Sequence, residues 1–131
     1  IISRAELYID DSSPLRVSEI KAKCRKIKGL GLIVIDYLDF LLPESKSNDN
    51  RTQIVSQITK DLKVMAKQLN VPIVLLVQLS RKCEERQNKR PMLSDLRDSG
   101  AIEQDADVVM FIYRDDYYYP DSNKKGIAWC Q

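Results

Sequence analysis

Short apolar runs alternate along the chain with longer amphipathic stretches, and this alternation restricts the fold more than any other feature. Strand, helix and strand in succession form the unit of α/β proteins with mainly parallel sheets. Continuous apolar runs without alternation are typical of parallel strands covered on both faces. We therefore predict an α/β fold with a mainly parallel sheet flanked by helices. The candidate strands are Leu7 to Asp10, Leu30 to Asp36, Pro72 to Val77 and Asp107 to Tyr113.

Two amphipathic stretches are predicted to be the helices that cover this sheet. The first begins at Ser13 and Pro14, because a hydroxyl can cap a helix and proline fits its first turn. The second begins near Asn50, with Gln53 placed to complete a capping box, and ends at Asn70. The apolar stripe of this second helix consists of Ile54, Ile58, Leu62, Met65 and Leu69.

Composition limits the class of protein. The 131 residues are 44% hydrophobic and 31% charged, which is typical of one globular domain. No apolar run reaches the roughly 20 residues of a membrane span, and no signal peptide is evident, so we expect a cytoplasmic protein. Three separated cysteines without any histidine predict reduced thiols and exclude both a zinc site of familiar spacing and a Ser/His/Asp triad. Because the first residue is Ile1, we expect a piece of a longer protein.

The strongest local signal for chemistry is an aspartate at the end of an apolar run. Residues 32–36 read LIVID, and ligands of open α/β sheets bind beyond the carboxyl ends of the strands. A carboxylate there can hold the water shell of Mg²⁺, which bridges nucleotide phosphates. Asp36 is therefore a candidate metal and nucleotide ligand of the Walker B type. The alternative is an aspartate that only satisfies the N–H groups of a turn.

A second polar residue follows the next predicted strand. Gln78 comes directly after the run PIVLLV, at the position that corresponds to Asp36. A neutral amide there can sense a terminal phosphate or orient water without adding charge. The alternative is a glutamine that is simply solvated.

Basic residues crowd the stretch after this strand. The net charge of +2 does not by itself argue for nucleic acid, and a solvated polar loop over residues 79–93 remains an alternative to a groove that holds phosphates. Further on, Gly100 can take a left-handed conformation whose N–H groups grip a phosphate, and Arg97 supplies a donor fork for the same anion. An ordinary short helix is the alternative there. The basic residues are Arg81, Lys82, Arg86, Lys89, Arg90 and Arg97.

Three blocks of the sequence resemble, in order and spacing, those of DnaB-type replicative DNA helicases. They read LIVIDYLDFL, NRTQIVSQITKDLKVMAKQLNVPIVLLVQLSR and KRPMLSDLRDSGAIEQDADVVMFIYRDDYY, and the resemblance extends from Leu7 to about Tyr119. It implies that residues 1–131 are one partial RecA-like P-loop NTPase core, truncated at both ends. The parent protein would be an ATP-driven homohexamer that unwinds DNA at the replication fork. Its implied cofactors are ATP and Mg²⁺, and its implied partners are single-stranded DNA, primase and a helicase loader.

The resemblance also implies roles for individual residues. Asp36 falls on the Walker B aspartate that supports the magnesium ion of bound ATP, and Gln78 falls on the glutamine that senses the γ-phosphate. A turn that grips DNA phosphates in the central channel, largely through main-chain groups, corresponds to Arg97, Asp98 and Gly100. Aspartate replaces the usual glutamate of that turn, which leaves a main-chain grip intact. Weaker DNA-binding candidates are Arg81, Lys89 and Arg90.

Other parts of the family's machinery are expected outside this chain. Its four glycines form no G-x-x-x-x-G-K-[ST] sequence, so the phosphate-binding loop is missing. In the family that loop and the glutamate that activates water lie upstream of the position of Ile1, and the arginine finger lies beyond the last residue. We expect such a fragment neither to hydrolyse ATP nor to assemble the complete subunit interface.

Two rival interpretations remain open from the sequence. A RecA-like recombinase would use similar strand ends but would form filaments rather than rings. A phosphoacceptor signalling domain would use an acid pair such as Asp10 and Asp11 with Asp36 as acceptor. It also requires a hydroxyl residue after the third strand and a lysine after a later one, where this chain has Gln78 and Arg114.

Overall fold

Strands and helices alternate along the computed structural model, which describes residues 5–44, 50–96 and 100–131. Single turns of 3-10 helix are found at Leu38–Phe40 and Leu93–Asp95. The elements of the described ranges are, in chain order, β1 (Leu15–Arg16), α1 (Val17–Cys24), β2 (Ile33–Ile35), β3 (Leu41–Leu42), α2 (Arg51–Leu69), β4 (Ile73–Leu75), α3 (Lys82–Glu85), α4 (Gly100–Asp105), β5 (Ile112–Arg114), α5 (Asp115–Tyr118) and β6 (Ala128–Cys130).

The parallel pair of β2 and β4 organises the fold. Ile33 lies opposite Ile73 and Ile35 opposite Leu75. The pairing continues beyond the strands, because the N–H of Leu76 donates to the carbonyl of Ile35 at 2.9 Å. A second parallel pair joins β1 to β3, and an antiparallel pair joins β5 to β6. Two of the three strand pairs in the described ranges are thus parallel, as predicted.

Helix α2 covers one face of this pair, and the sequence predicted it well. The Asn50 side chain accepts from the N–H of Gln53 at 3.0 Å, and the Gln53 side chain accepts from the N–H of Asn50 at the same distance. Asn70 ends the helix in the left-handed region, with φ 53°. Neither α2 nor any other helix in the described ranges is long and apolar enough to cross a membrane. The predicted stripe is buried or packed against the core at Ile54, Ile58, Leu62, Met65 and Leu69, and Val55 is buried in addition.

The predicted start of the first helix is wrong by three residues. Helix α1 begins at Val17, where the Glu19 carboxylate accepts from the N–H of Arg16 at 2.7 Å. Ser13 and Pro14 precede the extended pair β1, whose two residues bond to β3. That long-range pairing keeps the backbone extended where a capping hydroxyl and a proline favour a helix.

Two expectations for the strands are also wrong. Leu7 to Asp10 forms no strand, because no strand in the described ranges runs beside it, and Leu7 and Ile9 are exposed. Strand β2 is covered on one face rather than on both. Val34 is 58% exposed while its neighbours Ile33 and Ile35 are buried, since no layer of the described chain packs on the second face.

Candidate functional site

The carboxyl ends of β2 and β4 lie side by side. The hydrogen bond from Leu76 to Ile35 is followed by a second, from the N–H of Leu38 to the carbonyl of Leu76, at 3.0 Å. Asp36 and Tyr37, joined by a cis peptide bond, therefore lie beside Leu76 at the point where both strands end. Gln78 follows Leu76 by two residues and lies three residues beyond the end of β4.

Asp36 and Gln78 belong to the same face of the pair. On β2 the buried residues Ile33 and Ile35 alternate with the exposed Val34 and Asp36. After β4 the half-buried Val77 packs against the core, while Leu76 and Gln78 on either side of it are exposed. Since successive side chains of a strand point to opposite faces, the acid and the amide open toward the face that α2 does not cover. We call this the open face.

The setting of Asp36 suits a hydrated cation that bridges phosphates. Its side chain is exposed and has no hydrogen-bonding or ion-pair partner among the described residues, so the carboxylate oxygens are available. Those residues contain no group of three or more acids, cysteines or histidines that could enclose a metal ion. Mg²⁺ commonly keeps several waters and takes one or two carboxylates together with substrate phosphates. The residues at this strand end therefore fit such an ion.

The weaker DNA-binding candidates lie in a loop that contacts the tyrosines of β5 and α5. The guanidinium of Arg90 lies 5.3 Å from the ring centroid of Tyr113, and the Lys89 ammonium 5.5 Å from that of Tyr118. Such cation–π contacts restrict the two side chains without neutralising their charge. Arg81 is exposed just before α3. The structure thus gathers Lys89 and Arg90 on the aromatic side of the loop.

An ion pair between a buried aspartate and a half-buried arginine organises the same loop, and sequence reasoning missed it. Asp95 is 3% exposed and faces Arg86, whose Nη1 and Nη2 donate to its two carboxylate oxygens at 2.7 Å each. These hydrogen bonds lower the pKa of Asp95 below its usual range. The loop over residues 79–93, for which a solvated polar loop was one of two alternatives, contains α3 and is held by this pair. The available signal was an acid set between the apolar residues Leu93 and Leu96.

The predicted DNA-gripping turn is held on both sides by described residues. Asp95 and Leu96 precede it, and Gly100 is the first residue of α4, which follows it. Ile102 of α4 lies in the core, and the Thr59 hydroxyl of α2 lies 2.5 Å from the Asp105 carboxylate. Arg97 and Asp98 lie outside the described residues, so their assignment to DNA binding stays a prediction.

Comparison with known proteins identifies the family. The DnaB-like helicase C-terminal domain matches residues 1–129. The chain belongs to this family. DnaB of Geobacillus stearothermophilus, a replicative DNA helicase, is 56% identical over 129 residues. The replicative DNA helicase DnaC of Bacillus subtilis strain 168 is 54% identical over the same length. Each alignment covers 96% of this chain and 28% of the relative, so the chain spans about a quarter of the length of these helicases.

Solved structures share the fold. The structure of a DnaB-like replicative helicase, determined with its interactions with primase, aligns with a TM-score of 0.89 at 49% identity. The alignment covers 97% of this chain and 31% of that one. A second solved structure, that of an ATPase domain, aligns with the same TM-score at 48% identity, over 97% of this chain and 46% of that one. The predicted RecA-like α/β fold and the resemblance to DnaB-type helicases are therefore confirmed. A phosphoacceptor domain is not supported.

Proposed function

We propose that this chain is the part of a hexameric replicative DNA helicase that holds the metal-bound phosphates of ATP and grips single-stranded DNA. The observation that carries the proposal is the placement of Asp36 and Gln78 at adjacent strand ends on the open face. The parent protein would convert ATP hydrolysis into movement along one strand, 5′ to 3′, in the cytoplasm. Primase and a helicase loader would be its partners at the replication fork.

Each of the two strand-end residues has a defined task in this proposal. Asp36 binds the water shell of Mg²⁺, and the metal neutralises charge that develops on the transferred phosphate. Gln78 lies one strand away and donates or accepts a hydrogen bond at the terminal phosphate, so its environment differs before and after hydrolysis. Because an amide adds no charge, it distinguishes these states without competing with Asp36 for the metal.

The DNA-binding task falls to the turn between Leu96 and Gly100. Arg97 would contribute a planar fork to a phosphate, and main-chain N–H groups around Gly100 would contribute further hydrogen bonds. Phosphate contacts of this kind carry no base specificity, as a motor that moves along any sequence requires. ATP-dependent changes in neighbouring subunits would shift successive turns along the strand.

Substitution of Asp36 tests the proposal. In a full-length protein that carries this chain, we expect Asp36→Asn to lower kcat for ATP hydrolysis at least about 100-fold. A metal contributes several kcal/mol to the transition state, and 1.36 kcal/mol corresponds to a factor of ten. The matched control is Asp39→Asn, an exposed aspartate that pairs with Arg51 and has no assigned role. Equal hydrolysis by wild type and Asp36→Asn would refute the proposed site.

A further inference from the structure

The Arg86–Asp95 ion pair joins parts of the chain that are close to the two proposed sites. Both carboxylate oxygens of Asp95 accept from the guanidinium, and Oδ2 also accepts from the N–H of Met92 at 2.9 Å. Arg86 in turn donates from Nη2 to the carbonyl of Arg90 at 2.9 Å. The planar guanidinium of Arg86 is held in one orientation because it is bound at several points. A lysine ammonium could not make the same set of contacts.

The same aspartate is bonded to the segment that follows β4 and contains Gln78. The N–H of Ser80, a buried residue, donates to the main-chain carbonyl of Asp95 at 2.9 Å. Ser80 lies two residues after Gln78, and Asp95 lies two residues before Arg97. One hydrogen bond therefore links the segment that contains Gln78 directly to the residues before the proposed DNA-gripping turn, although Gln78 and Leu96 are 18 positions apart in the sequence.

Compared with an apolar pair of similar volume, an ion pair in this position contributes geometry more than stability, although removal of one partner alone is costly. Apolar residues of similar volume often stabilise a protein as well as a buried ion pair does, whereas the pair fixes the relative orientation of its partners. The other contacts of residues 80–95 hold the middle of this loop, at α3 and at the tyrosines of β5 and α5. The ion pair is the contact that ties Arg86 in the loop to Asp95, which lies directly before Leu96. The far side of the turn is already fixed, because α4 packs on α2.

We propose that Arg86 and Asp95 form a positioning pair that transmits the nucleotide state sensed at Gln78 to the DNA-gripping turn. The inference rests on the proposed function and deepens it. Neither residue contacts ATP or DNA in this scheme. The pair keeps Ser80 and the residues before Arg97 in one rigid unit, so that a shift at the end of β4 moves the turn instead of being absorbed by the loop.

The test measures coupling rather than activity alone. In the full-length protein, the Kd of a labelled oligothymidine strand is measured with ADP and with a non-hydrolysable ATP analogue. We expect the ratio of the two values to be at least about five-fold in the wild type, the lower end of common coupling strengths. It should fall to within about two-fold of unity in the double variant Arg86→Gln/Asp95→Asn, because the coupling is lost when the link is broken.

The double variant leaves no uncompensated buried charge, so a folded protein is expected, and thermal unfolding checks it. The single variants Arg86→Gln and Asp95→Asn should lose the same coupling as the double variant, because the two side chains act as one unit. The KM for ATP without DNA should stay at the wild-type value. Arg114→Gln is the matched control, since Arg114 makes a similar two-point contact with Asp116, at 3.1 and 2.9 Å, on the β5–β6 side.

The outcomes separate this inference from the function on which it rests. A wild-type coupling ratio in the folded double variant would overturn the positioning role and leave the helicase proposal untouched. A parallel loss of coupling, ATP affinity and thermal stability would also overturn it, because that pattern indicates a structural role. A wild-type protein that fails to hydrolyse ATP would refute the proposed function itself, and the positioning role with it.

Discussion

The two sides of the proposed DNA-gripping turn are held by different chemistry. On the side before the turn, the charged groups of Arg86 and Asp95 meet in a two-point contact, and Asp95 is buried. On the side after it, Ile102 packs into the core shared with α2, and the Thr59 hydroxyl meets the Asp105 carboxylate. The first anchor depends on charge and orientation. The second depends mainly on apolar contact, which is non-directional.

We infer from this difference that the two anchors have different effects on the turn. An apolar anchor tolerates small shifts and sets where the turn sits on the domain, whereas a planar ion pair defines direction. Under the proposed function, the turn must move with the residues before it and stay attached to α4, and it would need both kinds of anchor. The apolar anchor should therefore contribute more to the free energy of unfolding. The contribution of the Arg86–Asp95 ion pair should depend on pH.

The largest effect is expected at Ile102. Ile102→Ala should lower the free energy of unfolding of the chain by about 2–5 kcal/mol, because truncation of a buried isoleucine loses apolar burial and leaves a cavity. Urea denaturation at pH 7 measures it. Glu103→Ala, at the exposed neighbouring position, should change stability by less than about 0.5 kcal/mol. If both variants unfold at the same urea concentration, α4 is not anchored through its apolar face.

Local patterns explain why α2 and the two strand ends were predictable. A capping pair at Asn50 and Gln53 lies within four residues, and the apolar stripe repeats every three or four, so the sequence itself contains the information. Strand ends are predictable for a related reason. Once two strands run parallel, the residues that follow them share one edge, which brings Asp36 close to the position of Gln78.

Long-range contacts explain the failures. The pairing of β1 with β3 displaced the start of α1, and no pattern around Ser13 indicates that strand. Arg86 and Asp95 are nine residues apart, and their contact depends on the path of the loop between them. The basic stretch therefore looked uniform in sequence, although one of its arginines is used internally. The assignment of Arg97 and Asp98 stays a prediction that rests on family resemblance.

An intermediate effect is expected at Asp95. Asp95→Asn should cost about 1.5–3 kcal/mol at pH 7, the range for hydrogen bonds to charged groups. Arg86 lowers the pKa of Asp95 from the ordinary 3.8. The contribution of the carboxylate is therefore fully present above that value and is lost as the pH falls through the lower pKa of the folded state. Urea midpoints of both proteins should converge as the pH is lowered from 7 into this acid range.

A control separates this ion pair from the general loss of negative charge. Glu103→Gln removes one exposed carboxylate from α4, on the other side of the turn. The free energy of unfolding of Glu103→Gln should differ little from that of the wild type at pH 7, whereas that of Asp95→Asn should be clearly lower. A deficit of Asp95→Asn that persists unchanged at the lowest pH would show that the carboxylate acts through shape rather than charge, and the contrast between the two anchors would disappear.

The smallest effect is expected at Thr59, the polar part of the apolar anchor. Thr59→Val keeps the side-chain shape but removes a hydroxyl that lies 2.5 Å from Asp105 Oδ2 and 3.1 Å from the carbonyl of Ser56. Because Asp105 is only half-buried, water can replace the lost hydroxyl at its carboxylate, and the loss should be about 1 kcal/mol, measured by urea denaturation at pH 7. Lys63→Gln, which breaks an exposed contact with Asp107, is a control expected to shift the midpoint less. A loss at Thr59 as large as that at Ile102 would mean that hydrogen bonding, not apolar packing, holds the far side of the turn.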